Sequence, residues 1–174
     1  MEKLKKALVI ILAVLSIAST LSLVAWGVTR TVKGIQMNFD CIYYLKRAAD
    51  ASTVEMAKNE LAKAIEYAEK NALTEGIVSI VLEDPRNDVG FWYNNMKEAY
   101  KELDQLPENA TSMEKTNVLM KLRESLIDEG SGVTHPIGIS IYPNNVFYFW
   151  WAMISLIAAC GLWFITYQAW YEWW

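Results

Sequence analysis

Two long uncharged apolar runs constrain this chain more than any other feature: Ala7 to Val28 is 22 residues without an Asp, Glu, Lys or Arg, and Val146 to Trp170 is 25. A helix crosses the roughly 30 Å hydrocarbon core of a bilayer in about 20 residues, so either run is long enough to span one. A single water-soluble globule is therefore excluded. The expected fold is mostly α, with two transmembrane helices flanking an extracytoplasmic helical domain that resembles a four-helix bundle. The expected segments are residues 1–6 as a cytoplasmic tail, 7–28 as the first span, 29–145 as the exposed domain, 146–170 as the second span and 171–174 as an interfacial tail.

The first run opens like a signal peptide, with Lys3, Lys5 and Lys6 ahead of it and small residues at Ala18 to Thr20. It is, however, longer than the usual apolar core of a signal peptide, and it continues past the small residues through Leu21 to Trp26. The expectation is an uncleaved span. Orientation follows from Lys and Arg near the span ends. Three lysines precede the first run, Arg30 and Lys33 follow it, and residues 131–145 contain no Lys or Arg. This bias favours cytoplasmic termini and a central domain outside a bacterial inner membrane. The first run starts six residues from the amino terminus and the second ends near Trp174, so no cytoplasmic domain is expected.

Charge narrows the function classes. The whole chain carries a net −4. Residues 30 to 145 hold thirteen cations against eighteen anions, a net −5, and no basic face that would suit a polyanion such as nucleic acid. The two cysteines, Cys41 and Cys160, fall in different segments, so no internal disulfide is expected. Cys41 reads as a packing residue.

Helical periodicity dominates residues 34 to 130. Ile35, Phe39, Ile42, Leu45 and Ala49 form one stripe, which makes a helix continuous from about residue 4 to 50. Ser52 and Glu55 stand at capping-box spacing ahead of a second stripe, Val54, Ala57, Leu61, Ile65 and Ala68. A third helix is signalled by Asp88 as N-cap and by Trp92, Met96, Ala99, Leu103 and Leu106, ending at Pro107. A fourth starts at Thr111 with Glu114, carries Val118, Leu119, Leu122 and Leu126 inward, and stops at Gly130. Two β-branched stretches, Ile77 to Leu82 and Ile137 to Tyr142, fit either a small two-stranded ribbon or a packed irregular loop.

Four strings, Asn71-Ala-Leu-Thr-Glu-Gly76, Asp88-Val-Gly-Phe-Trp-Tyr-Asn94, Thr116-Asn-Val-Leu-Met-Lys-Leu-Arg-Glu124 and Gly138-Ile-Ser-Ile-Tyr-Pro-Asn-Asn145, resemble segments of an uncharacterised bacterial family of small two-span membrane proteins. The resemblance covers most of the exposed domain. It implies the two-span topology and a bacterial source, and no activity.

Catalytic constellations are missing from the sequence. The one histidine, His135, stands beside Pro136 without a His-x-x-His or Cys-x-x-Cys partner, and no glycine-rich phosphate loop occurs. Carboxylate pairs Glu83-Asp84 and Asp128-Glu129 read as solvated element ends. Neither an enzyme nor a cofactor or metal is expected.

Two regions remain as candidate surfaces. Phe91, Trp92 and Tyr93 place three rings around the first turn of a helix beside Gly90, and Tyr100 follows one heptad after Tyr93. These rings suit core packing together with satellite packing against Ile77 to Leu82, or else a partner or ligand surface. Within the spans, Ala18, Ser22 and Ala25, and Ser155 and Ala159, have the small-residue spacing that lets helices approach. Trp163, Tyr167, Trp170 and Trp174 form an aromatic ridge, either an interfacial belt alone or a belt that also docks a neighbour. No hydrophilic stripe is legible in either span. The leading expectation is a non-enzymatic assembly or interaction protein, a homo-oligomer or a subunit of a membrane complex. The alternative is a ligand-sensing subunit with a chemoreceptor-like layout.

Overall fold

The computed structural model describes residues 2–127 and 132–173. Helix dominates, and no β-strand occurs among the described residues. Glu2 to Ala49 is one uninterrupted helical run: α1 (Glu2–Met37), a π turn (Asn38–Ile42) and α2 (Tyr43–Ala49). Then come α3 (Val54–Lys70), α4 (Val89–Asp104), α5 (Ser112–Leu126) and α6 (Asn145–Trp173). The first helical run and α6 are each long and apolar enough to cross a membrane. The chain divides into two compact units, one holding residues up to Val32 and from Val146, the other Lys33–Asn145.

In the first unit α1 and α6 lie antiparallel along a seam at heptad-like spacing. Val9 and Ser16 of α1 and Ser155, Ala159, Thr166 and Ala169 of α6 are buried, and Ser16 meets Thr166 while Ser22 meets Ser155. The rest of both helices is largely apolar and exposed, with Ile10, Val14, Leu21, Ile154, Ile157 and Phe164 all outward.

In the second unit α2 packs on α3 and α5, α3 on α4 and α5, and α4 on α5. The core runs from Met37, Cys41 and Leu45 through Leu61 and Ile65 to Trp92, Met96, Leu103, Leu122 and Leu126. Sequence stripes on α3, α4 and α5 therefore coincide with what is buried. The α1–α2 stripe needs correction. Ile42, Leu45 and Ala49 point inward, but Ile35 is 50% and Phe39 61% exposed. The π turn has more residues per turn than an α-helix, so the face upstream rotates and Met37 and Cys41 enter the core instead.

Other boundaries also shift. Thr53, not Ser52, caps α3, its hydroxyl accepting from the Met56 N–H at 3.2 Å. Helix α4 ends at Asp104, ahead of Pro107, while its predicted cap holds: Asp88 accepts from the Phe91 N–H at 2.9 Å. The Thr111–Glu114 capping box is present in full. Helix α5 ends at Leu126, and the predicted stop at Gly130 and the pair Asp128-Glu129 lie outside the described residues. The ribbon alternative fails. Ile77 bridges only to Asp88, and residues 139–141 form a 3-10 turn. Tyr142 and Asn145 take up carbonyls of residues 75 and 78, so the two stretches meet through side chains rather than a ladder.

Candidate functional site

The aromatic cluster at the start of α4 is separated by its helix geometry. Gly90 sits where the backbone of Thr74 and Glu75 crosses α4, and a Cβ there would lie 3.5 Å from Glu75 Cα. That is an ordinary van der Waals distance, so the crossing is close without excluding a small side chain. Trp92 is buried and donates its indole N–H to the Thr134 carbonyl at 3.1 Å. Phe91 is exposed. Both line an open cleft of about 630 Å³ together with Arg86, Asn95, His135 and Ile137.

Tyr93 and Tyr100 lie elsewhere. Both are half-buried against the core, and both meet α3. The Tyr93 hydroxyl donates to Glu69 Oε1 at 2.6 Å, and Lys97 joins the same oxygen at 3.2 Å. Burial first, and this carboxylate second, push the Tyr93 phenol up. Lys58 stands 5.7 Å from the Tyr100 ring centroid and pairs with Asp104. The expected second face of Tyr93 and Tyr100 is thus a packed α3–α4 contact, and of the four rings only Phe91 and Trp92 border the cleft.

The polar groups of the cleft are largely engaged. Arg86 holds Asp84 through two nitrogens, with Nη2 at 2.7 Å, and Asp88 is the α4 cap. His135 Nδ1 is 2.8 Å from the Val133 carbonyl, which can only accept, so Nδ1 carries a hydrogen. No group of three His, Cys, Asp or Glu side chains that could hold a metal occurs among the described residues.

A second concavity, about 670 Å³, opens between α2 and α3 and is walled by Phe39, Tyr43, Tyr44 and Met56. Phe39 and Tyr43 meet edge to face at 5.2 Å, and with Met56 both are well exposed. Glu60 closes its base: Oε1 accepts from Arg47 at 3.1 Å and Lys63 at 3.2 Å, while buried Oε2 has no partner among the described residues.

Within the first unit, the small residues singled out in the sequence are placed differently from one another. Ser155 and Ala159 are buried and Ser22 is half-buried, but Ala18 and Ala25 face away from the seam. A ladder of hydroxyl and indole groups occupies the seam instead. Ser16 gives its proton to the Leu12 carbonyl (2.8 Å) and so accepts from Thr166 (3.0 Å). Ser22 accepts from the Trp151 indole (3.0 Å) and contacts Ser155 (3.0 Å). Trp26 donates to the Tyr148 carbonyl at 2.8 Å and Trp163 to Thr20 at 3.1 Å. The absence of a hydrophilic stripe is therefore corrected. Ser16, Ser19 and Ser22 recur every three residues, and that spacing was the available signal. Of the aromatic ridge, Trp163, Tyr167 and Trp170 are exposed, whereas Trp174 lies outside the described residues. Cys41 is fully buried and Cys160 exposed, neither in a disulfide.

Comparison with protein-family models, curated proteins and solved structures found no match.

Proposed function

We propose that the chain is a non-enzymatic integral membrane protein of a bacterial inner membrane, with cytoplasmic termini and a helical domain displayed outside, which packs with copies of itself or with a membrane complex. The observation that carries this reading is the exposed apolar surface of Ile35, Phe39, Tyr43 and Met56 on the helical domain. Water-soluble surfaces rarely keep several large apolar side chains together unless something covers them. The uncharged runs within α1 and α6 support the two-span topology. Lys3, Lys5 and Lys6 support a cytoplasmic amino terminus. The mutual packing of α2 to α5 supports a four-helix-bundle arrangement.

The test is native mass after gentle solubilisation of the full chain. The wild type is expected above monomer mass or with a co-purifying partner, and Phe39→Asp with Tyr43→Asp is expected to drop to monomer with unchanged helical circular dichroism. A wild type that runs as a bare monomer removes the proposal.

A ligand-sensing role is the second reading, favoured by the 630 Å³ cleft at Phe91 and Trp92. Its volume suits a small organic molecule. A thermal-shift screen on the full chain would reveal such a ligand by stabilisation.

A further inference from the structure

Between α3 and α4 the chain carries an exposed apolar tip. Ile80, Val81 and Leu82 are 39%, 78% and 81% exposed, although Val78 just before them is buried. Both flanks of this tip are tied to residues 137–145, the stretch that leads into α6. Upstream, the Tyr142 hydroxyl donates to the Glu75 carbonyl at 2.8 Å, and the Asn145 side-chain amide donates to the Val78 carbonyl. A Cβ on Gly138 would stand 3.4 Å from Val78 Cγ1, so backbone and side chain meet there as well. Downstream, Asn87 Oδ1 accepts from the Ile137 N–H at 3.0 Å. Asn87 also donates to Ser79 Oγ at 2.9 Å, which closes the loop across its own base.

These ties give the tip an address. Asn145 is the first residue of α6 and directly precedes the uncharged run. Three residues of chain reach at most about 11 Å, so Val81 stays near Val78 and hence near the point where α6 begins. The interfacial zone of each leaflet is roughly 5–8 Å thick, a distance of the same size. The side chains at the tip are aliphatic only, with no ring edge or hydrogen-bonding group to specify a protein partner. Non-directional contact with acyl chains asks for nothing more. Glu83 and Asp84 follow at once, returning the chain to water.

We infer that Ile80–Val81–Leu82 is a lipid-contacting loop, seated among the headgroups and upper acyl chains beside the start of the second span. This inference rests on the two-span membrane reading above, and its test is arranged so that the two can fail separately. In full-length chain carrying Cys41→Ala and Cys160→Ser, a bimane probe is attached in turn to Leu82→Cys, Leu156→Cys in α6 and Asn109→Cys in the exposed α4–α5 turn. Each labelled protein is reconstituted into phosphatidylcholine–phosphatidylglycerol vesicles with doxyl quenchers near the headgroup or near the acyl-chain end. Expected is quenching at Leu82 that is stronger with the headgroup-proximal quencher, the opposite preference at Leu156, and no quenching at Asn109. Quenching at Leu156 but not at Leu82 overturns the loop assignment and leaves the membrane reading standing, with a second copy or a soluble partner as the cover of the tip. No quenching at Leu156 overturns both. Equal quenching at Leu82 and Asn109 also overturns the loop assignment, because contact would then not be local.

Discussion

Gly76 and Ala72 both sit at positive φ, 91° and 55°, and they should answer substitution with opposite signs. Ala72 ends α3 in a left-handed turn, where the Leu73 N–H reaches back to the Ala68 carbonyl at 2.8 Å. Glycine relieves the Cβ cost of that turn, so Ala72→Gly is expected to stabilise by about 0.5–1 kcal/mol. At Gly76 a Cβ would in addition collide with the Tyr142 hydroxyl. Gly76→Ala is expected to destabilise by more than about 1 kcal/mol, and thermal unfolding of the full chain in detergent measures both changes. Charge offers a further check at this scale. The Tyr93 hydroxyl first, and Lys97 second, hold the Glu69 carboxyl below its ordinary 4.5. The stability this adds is present above that ordinary value and is lost as pH falls through the lower folded value. Glu69→Gln should therefore flatten the acid limb of a stability–pH profile while leaving its neutral limb parallel to wild type. A steeper acid limb in the variant would contradict the arrangement.

At the scale of elements, most helices were legible because an amphipathic stripe and a cap identify a helix independently. Asp88 and Thr111 mark their helix starts by the chemistry of an oxygen facing free N–H groups. Ser52 and Thr53 carry the same chemistry one residue apart, so spacing alone could not choose between them. The choice is testable: Thr53→Ala should cost about 1 kcal/mol and Ser52→Ala only a few tenths, read from chemical denaturation. The α1–α2 stripe misled because it assumed 3.6 residues per turn through a stretch that winds with more. The seam of α1 and α6 was hidden for a different reason. Ser22 and Ser155 were weighed for their small volume and Ser16 and Thr166 were not singled out, while the hydroxyls of all four find partners across the helix pair. Candidate residues fared likewise: Phe91 and Trp92 share a cleft, while Tyr93 is drawn onto Glu69, a partner 24 positions away that no local pattern announces.

For the whole molecule, the division into two units follows from two different demands on apolar surface. Residues 33–145 bury theirs internally, and Leu45, Leu61 and Met96 are fully enclosed. The first unit leaves most of its apolar surface outside. A fragment of residues 33–145 is therefore expected to fold in water with helical circular dichroism and a cooperative melt. A fragment ending at residue 143 should melt lower, because it lacks the Asn145 amide that holds the Val78 carbonyl. Equal melting of the two fragments would show that this tie adds nothing. No combination of residue types in the sequence foretold that tie, since Asn145 reads locally as a helix start and Val78 as an apolar residue in a loop.

The π turn at Asn38–Ile42 has one more consequence. Met37 and Leu45 both face the core although eight positions separate them, about 80° out of phase in a regular α-helix. Seven positions would come within about 20° of two full turns. The turn thus behaves as an absorbed insertion: one residue of slack taken up locally so that neither flank has to turn. Deleting Asn38, whose side chain is exposed, should let the stretch wind as plain α-helix with Met37 and Leu45 still inward. A shortened chain that keeps its melting temperature and its helicity would make this the rare interior helical position where length, and not only residue type, is free to change.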